Sequence, residues 1–178
     1  MDSSHNKHGT TLPELLISLA VISTLTVGAG NMMARFLQEN RMVVEVNTFV
    51  TTLLHARAEA VKRNARVVLC PSRDGNSCGN SADWNTGWLL FQSDDRERDA
   101  DEPLLQTGNP LQPAITMRSG NHRKRIVYRQ DGSAAGTNSS FTFCDSRKLA
   151  KPRVICLSGT GRPRLTRTRC DGKPVDCA

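Results

Sequence analysis

Residues 7–34 read KHGTTLPELLISLAVISTLTVGAGNMMA. A polar leader with His5, Lys7 and His8 runs into Gly9, followed by Thr10, Thr11 and a lone Glu14. From Leu15 to Ala34 there are twenty residues without a charge. Twenty helical residues span roughly 30 Å, the thickness of a bilayer core. The pattern predicts a leader over 1–9, a transmembrane or filament-core half-helix over 10–35, and a soluble head over 36–178. The basic Lys7 favours a cytoplasmic N-terminus, which puts the head across the inner membrane, in the periplasm. Glu14 is the odd feature, because a carboxylate in hydrocarbon needs a positive partner. A cut between Gly9 and Thr10 would leave an amine on Thr10. In a stack of identical helices that amine could neutralise the Glu14 of its neighbour.

Working outward, the helix is expected to continue to residue 63. Val43, Val46, Val50, Leu53, Leu54, Ala58 and Val61 recur at spacings of three and four and form the expected core stripe. Short β-branched and apolar runs then predict strands over 66–70, 87–92, 114–118, 125–129, 141–144, 153–158 and 162–166. Residues 71–86 are rich in Pro, Ser, Gly and Asn and read as loop. Residues 93–102 hold six acids and two arginines, and their spacing does not match an EF-hand calcium loop. One long helix followed by several short strands gives the α+β class, a helix packed on antiparallel sheet.

Six cysteines, Cys70, Cys78, Cys144, Cys156, Cys170 and Cys177, indicate an oxidising compartment. None forms a Cys-x-x-Cys pair or stands at ligand spacing from a histidine, which argues against zinc. Six cysteines allow 15 pairings, and sequence leaves them open. The favoured set is nearest-neighbour: Cys70–Cys78, Cys144–Cys156 and Cys170–Cys177, each bracketing a turn-rich stretch.

The net charge of +7 is unevenly spread. Residues 1–116 carry 10 Lys/Arg against 13 Asp/Glu, and residues 117–178 carry 14 against 4, a net of +10. Within the basic third, Gly161, Arg162, Pro163 and Arg164 form a GRPR motif. On a strand, i and i+2 share a face, so Arg162 and Arg164 point together, with Leu165 inward. Pro163 cannot donate to a ladder, so this strand is an edge. It is expected to end near Thr166, leaving Arg167 and Arg169 on a loop. All four arginines would then fan from one tip, joined by Arg123, Lys124 and Arg125, and by Arg147, Lys148 and Lys151.

Guanidinium suits phosphate oxygens. The eight aromatics are Phe36, Phe49, Trp84, Trp88, Phe91, Tyr128, Phe141 and Phe143, and none follows Phe143. Single-strand readers stack bases on aromatics, so a basic tip without them suits the backbone of double-stranded DNA, with little sequence preference. No Ser–His–Asp order, supported Cys–His pair or glycine-rich phosphate loop is present, so neither catalysis nor a cofactor is expected.

The leader resembles that of type IV pilins: Gly, an aromatic, Thr, Leu, any residue, Glu. Here Thr10 stands where the aromatic is usual, and Pro13 precedes Glu14, where a first helical turn tolerates it. The resemblance implies that a prepilin peptidase cuts between Gly9 and Thr10 and that Glu14 is the assembly glutamate. ARAEAVKRNARVVLC (56–70), DWNTGWLLF (83–91) and SGTGRPR (158–164) are similar to the minor pilins of the FimT/FimU group and the GspH-like, H-type pseudopilins of type II secretion. That likeness implies other pilins as partners in a type IV pilus. The Gly-Arg-x-Arg motif, matched by Gly161, Arg162 and Arg164, implies DNA uptake in natural transformation, as in DNA-binding FimT. A purely structural minor pilin, or an H-type pseudopilin, remains the alternative.

Overall fold

The computed structural model describes residues 11–93 and 102–177, leaving aside the side chains of 25–29 and 31. The Gly9–Thr10 cut and most of the acidic run, 94–101, lie outside the described residues. Helix α1 spans Leu12–Arg63, as expected. Residues up to Leu37 and residues from Gln38 onward form two separate units.

In the first unit Leu12, Leu15, Leu16, Ile17, Leu19, Val21 and Ile22 are exposed. Hydroxyls interrupt this apolar run. Ser18 donates to the Glu14 carbonyl at 2.8 Å, and Thr24 donates to that of Val21 at 2.9 Å. Among the described residues no helix is long and apolar enough to cross a membrane.

In the second unit, α1 buries Met42, Val46, Phe49, Leu53, Ala56 and Ala60, alternating steps of four and three. This corrects the expected stripe. Val46 and Leu53 belong to it, but Leu54 and Val61 are 48% and 53% exposed, and Ala58 is exposed. Apolar residues occur around much of this helix, so spacing alone does not choose a face, and the large Phe49 and Met42 take the core. The helix ends at Asn64, whose φ of 49° lets Ala65 N–H reach back to the Ala60 carbonyl at 3.2 Å.

Eight strands follow: β1 (Val67–Pro71), β2 (Trp88–Gln92), β3 (Leu104–Gly108), β4 (Ile115–Ser119), β5 (Ile126–Tyr128), β6 (Ser139–Asp145), β7 (Arg153–Leu157) and β8 (Pro163–Thr166). They make two antiparallel sheets, ordered β3-β2-β1-β5 and β4-β6-β7-β8. The inner faces of both share one core with α1, centred on edge-to-face contacts of Phe49 with Trp84, Phe141 and Phe143. Trp84 satisfies its indole N–H on the Arg123 carbonyl at 2.9 Å. The other face of the first sheet buries Val68, Cys70, Leu89, Phe91 and Val127, with Cys78 packed against them.

The disulfides are Cys70–Cys78, Cys144–Cys177 and Cys156–Cys170. The first is as expected; the other two correct the nearest-neighbour pairing. Ser140 faces Cys156 across β6 and β7. Cys144 lies four residues further along β6, roughly 13 Å away at ~3.3 Å per residue. A disulfide needs Cα atoms about 4.4–6.8 Å apart, so register rules out Cys144–Cys156. Each cysteine instead pairs with the C-terminal segment, at Cα separations of 5.7 and 5.8 Å.

Candidate nucleic-acid interface

The GRPR motif opens β8. A tight turn precedes it: Gly161 N–H donates to the Ser158 carbonyl at 2.9 Å, and Ser158 N–H donates to the Arg162 carbonyl at 3.2 Å. Gly161 is buried with φ +76°, and a Cβ there would land on the carbonyl oxygen of Gly132. Gly132, with φ +75°, leaves only 3.0 Å between its own would-be Cβ and both Arg57 Nε and Val61 Cγ2. The turn before β8 therefore rests on the turn after β5, which rests on α1. A further bond, Ala134 N–H to the Gly159 carbonyl at 3.0 Å, pins the two turns together. Gly161, part of the motif that implies DNA binding, packs against the Gly132 turn and fixes where β8 begins.

Arg162, Arg164, Arg167 and Arg169 are all exposed. Register gives their arrangement. Pro163 faces Leu157, Arg164 faces Cys156, Leu165 faces Ile155 and Thr166 faces Val154. Arg162 and Arg167 thus lie at opposite ends of β8, five residues or ~16 Å apart along the strand. The arginines line an edge; they do not fan from one tip, as the sequence suggested. Leu165 does share the core-side face with buried Ile155, yet stays 44% exposed because β8 is the outermost strand.

Lys148 and Lys151 are exposed on the β6–β7 loop, at the Arg167 end of the sheet. The loop is built around Asp145, a buried carboxylate. Oδ1 accepts from Gln38 Nε2 and from Arg147 N–H, both at 3.1 Å. Oδ2 accepts the N–H groups of Leu149 at 2.8 Å and Ala150 at 2.9 Å. Burial pushes this carboxyl up, but the N–H groups of Ala150, Arg147 and Leu149, with Gln38, outweigh it and hold it below the ordinary range. Arg123 and Arg125 do not join the edge. They are half-buried at the entry to β5, in the other sheet, and Lys124 beside them donates to Asn80 at 3.0 Å.

Some of the basic third is committed. Arg153 lies 3.9 Å from Glu39, and Arg169 lies 3.6 Å from Asp171. Among the described residues Arg162, Arg164, Arg167, Lys148 and Lys151 form no ion pair. Exposed, unneutralised guanidinium on an edge strand can take phosphate oxygens without first breaking a contact. Among the described residues no His, Cys, Asp or Glu cluster could hold a metal ion.

Sequence reasoning missed two parts of this region. One is Asp145, whose only signal is a lone acid at the start of a basic loop. The other is the C-terminal strap, residues 167–177, bolted to β6 and β7 by Cys177 and Cys170. Between strap and sheet lies a cleft of ≈ 370 Å³, with Thr142, Val154, Arg169 and Val175 in its walls.

The family model of the type II transport protein GspH matches residues 45–161. The type IV minor pilin FimU of Pseudomonas aeruginosa is similar in structure, with a TM-score of 0.60 at 20% identity over 74% of this chain and 92% of that one. The minor pseudopilin EpsH of the Vibrio cholerae type II secretion system gives a TM-score of 0.50 at 10% identity, over 79% of this chain and 99% of that one. At these identities the likeness is one of fold. No curated protein sequence matches the chain.

Proposed function

The chain belongs to the family of the type II transport protein GspH, and we propose that it serves there as a minor type IV pilin that binds double-stranded DNA through the β8 edge of its head, for DNA uptake in natural transformation. The observation that carries this reading is the row of exposed arginines on and flanking β8, of which Arg162, Arg164 and Arg167 lack a carboxylate partner among the described residues. The contact is to phosphate, so sequence preference is small. No catalysis is assigned.

The same reading gives the N-terminal residues their roles. The head lies in the periplasm on a single inner-membrane anchor until the subunit joins a pilus at the cell surface. Prepilin peptidase cuts between Gly9 and Thr10, and the new amine of Thr10 meets Glu14 of a neighbouring pilin. Mass spectrometry of assembled filaments should find Thr10 at the N-terminus; an intact Met1 would refute the assignment.

DNA binding is tested with the full chain in detergent and a labelled duplex. The expected Kd is on the order of 10⁻⁴–10⁻⁶ M near physiological salt. Four engaged arginines, Arg169 exchanging its exposed Asp171 partner for phosphate, give a log K against log salt slope of about −3 to −4, from roughly −0.9 per phosphate. Arg162→Gln with Arg164→Gln should remove about two units of slope, and scrambling the duplex sequence should change little. If the double variant binds like the parent at low salt, the arginines are solvated charge and the chain is a structural filament subunit.

A further inference from the structure

The strap does not close the core. Residues 167–174 are all exposed, and the ≈ 370 Å³ cleft remains beneath. Two backbone hydrogen bonds turn it on itself: Arg169 N–H to the Lys173 carbonyl at 2.8 Å and Gly172 N–H to the Arg169 carbonyl at 2.9 Å. The covalent ties are the two bridges. Cys156 is the cross-strand neighbour of Arg164, and its Cα is 5.8 Å from that of Cys170. Arg169, next in sequence to Cys170, is thereby held near the strand that carries Arg164.

We infer that the two strap disulfides are a redox latch on the DNA-binding edge: closed, they hold Arg169 near Arg164; opened by a dithiol, they release the strap and weaken DNA binding while the head stays folded. This deepens the function proposed above and rests on it. In the opening step a dithiol attacks one sulfur of a bridge. Two electrons and two protons pass to the protein, two cysteine thiols form, and the dithiol closes to its own cyclic disulfide. Exposure makes the step selective. Cys156–Cys170 is the most open bridge, with Cys170 exposed and Cys156 half-buried; Cys144–Cys177 joins a buried to an exposed cysteine, and Cys70–Cys78 a fully buried to a half-buried one.

The test measures duplex-DNA affinity of the full chain in detergent across a salt series. The parent is compared oxidised and after mild dithiol treatment with alkylation. The variants are Cys156→Ser with Cys170→Ser, Cys70→Ser with Cys78→Ser, and Arg169→Gln with bridges intact. Opening the strap should weaken binding several-fold and flatten the salt slope by about one unit, at roughly 0.9 per phosphate. Arg169→Gln should flatten it by about one unit, and breaking Cys70–Cys78 should leave it alone. An opened strap with parental affinity and slope, in a protein that still needs Arg162 and Arg164, overturns the latch alone. Should the cysteine variant fail to fold, an unchanged slope in Arg169→Gln overturns it equally. An oxidised parent that ignores DNA, or binds it without Arg162 and Arg164, removes the DNA reading itself.

Discussion

Asp145 is a single residue on which a functional loop depends. Three backbone N–H donors and Gln38 converge on its two oxygens, so the charged form is the one the fold wants. Its folded-state pKa is depressed. It therefore contributes stability that is present above the ordinary carboxylate range and lost as pH falls through the lower, folded value. Asp145→Asn should destabilise the head by about 1–3 kcal/mol at neutral pH, because the amide nitrogen that replaces one oxygen cannot accept the N–H groups that face it. The variant should also lose less stability than the parent between pH 5 and pH 3. Asp74 and Asp131 are likewise held down, by the N–H groups of Ser77 and Asn76 and by Ser133, so the difference between parent and variant is the readout. Thermal melts at the two pH values decide it; equal acid sensitivity would mean that Asp145 is protonated or idle.

At the scale of the element, α1 exposes or buries its apolar residues by size as much as by period. Phe49→Ala should cost about 3–5 kcal/mol, since it empties the centre of the aromatic cluster. Leu54→Ala, on the exposed side, should stay within about 0.5 kcal/mol. Denaturant melts of the two would separate the observed stripe from the one that periodicity suggests, which includes Leu54. The helix ends were legible in the sequence because the run from Leu12 is unbroken and Asn64 can take positive φ. Seven of the eight strands were legible because β-branched and aromatic runs mark them. The other, β3, was not: LLQTG has no β-branched alternation, and it pairs only at the rim of its sheet. The exposure of Arg162 and Arg164 could be read from parity alone. Their layout along an edge could not, because it depends on which β7 residue faces which β8 residue. The same register hides the disulfide partners.

For the whole molecule, a charge gradient in sequence becomes a bias between sheets, with β5 the one strand of the first sheet drawn from the basic third. Strands β1 to β3 all precede the basic third, while β6, β7 and β8 lie within it, side by side. One core still joins both sheets to α1. The basic sheet is thus positioned by packing in which the exposed arginines take no part, Arg153 against Glu39 of α1 being the exception, which lets surface charge change without loss of the fold.

The nested bridges, Cys156–Cys170 inside Cys144–Cys177, impose an order on manufacture. A chain delivered N-terminus first presents Cys144 and Cys156 to an oxidant while Cys170 and Cys177 have yet to arrive. The first bond within reach is then Cys144–Cys156, the pairing that the finished β6–β7 register forbids. Reaching the native set requires a free thiolate to attack that bond and pass it on through a mixed disulfide. Maturation should therefore lean on a disulfide isomerase, not merely on an oxidant. Chains alkylated early in export, or made in cells without such an enzyme, should yield a Cys144–Cys156 peptide on non-reducing mapping. Native pairs alone under both conditions would mean that oxidation waits for the C-terminus.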